Sequence, residues 1–131
     1  MNFSSLYLVI GIGSALGGVA RYGLGLLAVS AWGPEFPWGT IIINVAGSFI
    51  IGFFATITGP EGRLLVGTAA RQFVMIGFCG GFTTFSSFSL ETVSLLSSGR
   101  ALAATANAGL SVIVCLFAVW LGHALAQKLS L

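Results

Sequence analysis

The chain has 131 residues, of which 56% are hydrophobic and only 6% charged, with a net charge of +2. A soluble domain carries about a quarter charged residues, so this chain has too few to cover a water-facing surface. So small a net charge also gives no footprint for nucleic acid, and apolar runs of about 20 residues make lipid the expected solvent.

The opening "MNFSSLYLVI" has no basic stretch ahead of its apolar residues, so a cleaved signal is not expected. Four spans are expected, at about 6–31, 38–58, 65–96 and 101–125, within a single transmembrane domain. The breaks between them are "WGPEFPW", "GPEGR" and "SSGR", each a Gly, Pro or Ser turn signal that carries charge. Trp32 and Trp38 bracket the first loop, where an aromatic interface belt would place them. Four spans put both termini and the second loop on one side, with Arg63, Arg71 and Lys128, against Arg100 on the other. That bias is weak, and a chain with so little preference is suited to inserting in both orientations.

The first span contains "GGVARYGLG". An arginine at mid-membrane costs about 2.5–3.5 kcal/mol on insertion scales, so Arg21 needs a reason to be there. Two readings stand at this point: a charge lining a cavity or vestibule, or a side chain snorkelling toward the interface. If it lines a cavity, its partner is an anion, because guanidinium offers only donors and positive charge. In the same span Gly13 and Gly17 form a small-xxx-small face suited to close helix packing. "GIGSALGG" superficially resembles a dinucleotide-binding fingerprint, but its spacing is off by one and no βαβ alternation follows.

Span two carries Thr40, Asn44 and Ser48 at i, i+4, i+8, which is one helical stripe. Span four repeats the arrangement with Asn107, Ser111 and Cys115. Each stripe reads either as polar glue between helices or as a track that a solute follows. No Asp occurs, Glu35 and Glu61 fall in loops, Glu91 lies past the centre of span three, and His123 sits near an interface. A proton-driven transporter usually places a carboxylate or histidine in its path, so a passive anion path is preferred. Cys79 and Cys115 lack CxxC spacing, and neither a disulfide framework nor a zinc site is indicated.

Span three is the unusual one. "GFCGGFTTFSSFSLE", Gly77 to Glu91, holds five hydroxyl residues and four phenylalanines in fifteen positions. Gly80-Gly81 followed by Phe82-Thr83-Thr84 joins two poor helix formers to β-branched residues. A break there would free carbonyls, which suit a hard cation; a continuous helix with glycines for packing is the other reading. Phe78, Phe82, Phe85 and Phe88 form an aromatic face that either packs or turns positive ring edges toward an anion, with Thr and Ser hydroxyls as donors.

"GGFTTFSSFSLE", Gly80 to Glu91, strongly resembles the signature of the Fluc or CrcB family of small fluoride channels, close to GGxTTFSTFSxE. "GGxxRY" with Arg21 and "WGTxxxN" ending at Asn44 extend the resemblance along the whole chain. It implies an all-α membrane protein of four transmembrane helices, the third broken near mid-membrane, in an antiparallel dual-topology homodimer. It further implies a structural, non-transported sodium ion (Na+) held by the carbonyls of Gly80 and Thr83. The implied fluoride pathway comprises Asn44, Thr84, Phe85, Ser87, Phe88, Asn107 and Ser111, with Arg21 in the vestibule. Asn107 stands where the family often has tyrosine, Cys115 where it has serine and Val119 where it has threonine; Ser87 replaces a threonine and keeps the hydroxyl.

The expected function is therefore passive export of cytoplasmic fluoride across the inner membrane by a multi-pass channel. A small four-span multidrug-type antiporter is the rival, though it would be expected to carry a membrane-embedded Glu where span one offers Arg21. A non-transporting scaffold would leave the hydroxyl and aromatic run without a purpose. No nucleophile is paired with a base, so no enzyme is expected.

Overall fold

Long apolar runs without alternation must satisfy their backbone internally, and in lipid that means helix. The computed structural model, which describes residues 3–130, is helical accordingly, and no strand occurs among the described residues. Helices α1 (Phe3–Trp32) and α2 (Trp38–Ile57) are continuous. The third span is composite. Here α3 (Thr68–Gln72) runs into a π-helical segment (Phe73–Phe78) and then α4 (Cys79–Phe82), and α5 (Phe85–Ser97) resumes after two extended residues. The last helix is α6 (Ala101–Ser130). Four stretches, Ser4–Trp32, Trp38–Ile57, Thr68–Ser97 and Ala101–Ser130, are long and apolar enough to cross a membrane.

The break does not fall on the glycines. Gly80 and Gly81 are both helical, and the extended residues are Thr83 (φ −83°, ψ 159°) and Thr84 (φ −153°, ψ 113°). Gly81 instead meets α1, where a β-carbon on it would overlap the Ser14 backbone. On the facing side, a β-carbon on Gly13 would lie 2.6 Å from the Phe73 carbonyl oxygen and 3.0 Å from the Gly77 Cα. One on Gly17 would lie 2.7 Å from the Phe82 nitrogen and closer still to the Phe78 carbonyl. Gly13-xxx-Gly17 thus packs on a second small-xxx-small pair, Gly77-xxx-Gly81, and the two backbones touch.

Helix α2 lies along α6, and α5 packs on α6. Arg71 donates to both the carbonyl and, at 2.7 Å, the hydroxyl of Thr58, covering the C-terminal end of α2. At the end of α5, Gly99 has φ +76°, its N–H donates to the Leu96 carbonyl, and the Arg100 N–H donates to the Leu95 carbonyl. This paired bonding is a Schellman motif, and it turns the chain sharply into α6 with Arg100 at the corner.

Candidate functional site

The site is built around the break. The Thr84 N–H donates to Asn44 Oδ1 at 2.7 Å, and Asn44 Nδ2 donates to the Thr84 carbonyl at 3.0 Å. One carboxamide from α2 thus serves both backbone groups of an extended residue, as a neighbouring strand would. Thr84 is also the N-cap of α5: its Oγ1 accepts the Ser87 N–H at 3.1 Å. In an uninterrupted helix the Thr84 N–H would close on the Gly80 carbonyl and the Ser87 N–H on the Thr83 carbonyl. Both amides are engaged by side chains instead. The two carbonyls deprived of those donors are the pair expected to hold a cation, and as hard, neutral oxygen ligands they fit sodium.

Two cavities meet at Thr84, which is itself buried. The outer one, about 610 Å³, is lined by Arg21, Thr40, Thr84, Ser87 and Glu91, with Glu35 and Arg100 from the neighbouring loops. The inner one, about 400 Å³, is lined by Asn44, Ser48, Gly80, Thr83, Thr84, Phe85, Phe88, Ser111 and Cys115. The Phe85 and Phe88 ring centroids are 5.2 Å apart, with planes tilted by 53°, and Phe85 is 76% exposed on the surface of the single chain. Phe78 and Phe82 stack on each other at 5.4 Å, and Phe82 is buried in the packing.

Asn107 lies outside the lining of both cavities and is fully buried. Its Nδ2 donates to Thr92 Oγ1 at 2.9 Å, and its Oδ1 accepts from Ser111 Oγ at 3.4 Å. Thr92 Oγ1 in turn donates to the Phe88 carbonyl at 2.7 Å. The asparagine therefore braces two lining residues, Ser111 directly and Phe88 through Thr92. It stands behind the wall of the inner cavity.

Sequence reasoning set Glu91 aside, and the structure puts it in the wall of the outer cavity. Thr40 Oγ1 donates to Glu91 Oε1 at 2.7 Å, while Oε2 is buried without a hydrogen-bond partner among the described residues. The two residues are 51 positions apart, so no local pattern reveals the pair. Only the polar stripe on α2, which holds Thr40 and Asn44 one turn apart, hinted that something on the facing helix must answer it.

A family model described as CrcB-like protein, Camphor Resistance (CrcB), matches residues 8–123. The fluoride-specific ion channel FluC of Methylocella silvestris is 59% identical over 124 residues, covering 95% of each chain. A protein of the same name from Opitutus terrae is 57% identical over 126 residues, covering 96% of each. FluC 1 of Rhodopseudomonas palustris is 54% identical over 127 residues, covering 97% of this chain and 90% of the other. With four apolar helical spans and relatives named as ion channels, the chain is a multi-pass membrane protein. It belongs to the CrcB-like family.

Proposed function

We propose that the chain is a passive, fluoride-selective channel that exports cytoplasmic fluoride across the inner membrane and so limits its toxicity. The observation that carries this reading is the junction at Thr84. A vestibule bearing Arg21 meets, across one buried residue, a smaller cavity lined by an amide, hydroxyls and two phenylalanines. Fluoride is small and tightly hydrated, so a narrow path must replace its water with donors and exclude larger halides by size. The remaining Asn44 N–H, the Ser87 hydroxyl, whose oxygen accepts from Thr84 Oγ1, and the edges of Phe85 and Phe88 are such donors, and the Ser111 hydroxyl joins them if it turns from Asn107. Arg21 raises the local anion concentration at the mouth.

The working unit in this reading is an antiparallel homodimer, to which weak charge asymmetry is suited. Phe85 and Gly80 are exposed on the single chain while facing the inner cavity, a wall that a second subunit would close. Sodium, when bound by the carbonyls of Gly80 and Thr83, supplies a fixed positive charge that neutralises otherwise unpaired oxygens. The chain's own part is to hold those carbonyls outward, through Asn44 and the Thr84 cap.

The test is efflux of fluoride from reconstituted liposomes, followed by an ion-selective electrode. Fluoride release without chloride release, and without an imposed proton gradient, is the expected result. Dependence on a proton gradient would instead favour the exchanger reading, for which Glu91 in the cavity wall is the feature such a mechanism would use. Phe85→Ile and Phe88→Ile each remove a ring-edge interaction of about 0.5–1.5 kcal/mol, so flux should fall up to about tenfold per ring with the assembly intact. Unchanged flux in both would return the rings to packing.

A further inference from the structure

The outer cavity carries charges that the proposed conduction path does not use. Arg100, held at the corner of the α5–α6 turn, and Glu35, in the α1–α2 loop, both line it together with Arg21. The Arg100 guanidinium donates to the Glu35 backbone carbonyl at 2.5 Å and lies 3.8 Å from the Glu35 carboxylate. Glu35 is 85% exposed and Arg100 42%, so the pair adds little to stability. Its position matters more than its strength. A sphere of 610 Å³ is only about 10 Å across, close to the Debye length of about 8 Å at physiological salt, so every charge on this wall is felt throughout the vestibule.

We propose that the Arg100–Glu35 pair tunes the effective fluoride concentration at the mouth, with Arg100 a second attracting cation whose charge the Glu35 carboxylate partly cancels. This rests on the fluoride-channel reading above. Two separable contacts make the proposal testable. The backbone carbonyl bond ties the two loops together whatever the side chain of residue 35, while the carboxylate contributes only charge. Glu35→Gln therefore keeps the tie and removes the negative charge.

The experiment measures initial fluoride efflux from liposomes at subsaturating fluoride, at about 10 mM and about 500 mM salt of a large impermeant anion, where the Debye length falls from about 30 Å to a few ångströms. At low salt, Glu35→Gln should raise the initial rate about two- to threefold. Arg100→Gln should lower it by a similar factor, Arg100→Lys should stay near the wild type, and the double Gln variant should return toward it. At high salt all five rates, the wild type's included, should converge. A salt-independent loss in both Arg100 variants, with Glu35→Gln unchanged, would mean a mechanical strap and overturn the proposal. So would five equal rates at low salt. If the wild-type protein itself moves no fluoride, it is the channel reading that fails, and the two failures are told apart within one data set.

Discussion

Asn44→Asp is expected to lower fluoride efflux at neutral pH by at least about a hundredfold, measured by electrode against protein-free vesicles. Asn44 Nδ2 donates to the Thr84 carbonyl, and Oδ1 accepts the Thr84 N–H. A carboxylate keeps the second bond and loses the first. The orphaned carbonyl then costs about 1–3 kcal/mol, and it faces a lone pair instead of a donor. The new charge is the larger effect. A carboxylate about 4 Å from a passing anion repels it by about 4 kcal/mol at an effective dielectric of 20, a factor of roughly a thousand. Acidification should partly reverse the defect, because protonation removes the charge and restores a donor toward the Thr84 carbonyl. Efflux by this variant, corrected for the vesicle background, should therefore rise as pH falls. Wild-type flux at neutral pH would show that Asn44 shapes the break without facing the ion.

Asn44 also shows why the sequence could place the break within Gly80–Thr84 but not at its residues. The weak helix formers Gly80 and Gly81 stand where a local rule puts an interruption, yet both remain helical. Gly81 is small because α1 lies against it, a tertiary reason that propensity does not contain. The interruption instead begins two residues later, at two threonines, because a side chain 40 positions away supplies the hydrogen bonds that the helix would have supplied. Glu91 was hidden for the same reason, its partner Thr40 being on another helix. The four spans were legible because they depend on composition over about 20 residues, which no single contact can override. The polar stripes were legible as stripes, but which of their members reach a cavity emerged only in three dimensions. Asn44 turns to the inner cavity, whereas Asn107 is sealed behind it, between Ser111 and Thr92.

The second large effect is expected in the packing that carries the break. Gly17→Ala should destabilise the protein by about 3 kcal/mol, while Gly11→Ala, six residues earlier on the same helix, should be neutral or slightly stabilising. Both substitutions add one methyl group. At Gly17 that methyl would press on the Phe78 carbonyl and lie 2.7 Å from the Phe82 nitrogen, both backbone atoms that no rotamer change can move. Relief requires α1 to withdraw from α4, and overpacking of this kind costs about 1–3 kcal/mol in a well-packed site. Close backbone contact is itself a main source of helix association in lipid, so the loss should fall at the upper end. At Gly11 nothing lies within 4 Å of the added carbon, and alanine gains up to about 1 kcal/mol of helix propensity over glycine. Thermal unfolding in detergent, read alongside fluoride efflux, separates the outcomes. The Gly17 variant should melt several degrees lower and lose flux, since α4 delivers Thr83 and Thr84 to Asn44, while the Gly11 variant should match the wild type in both. Equal melting of the two variants would mean that the Gly13–Gly17 and Gly77–Gly81 faces do not meet as described.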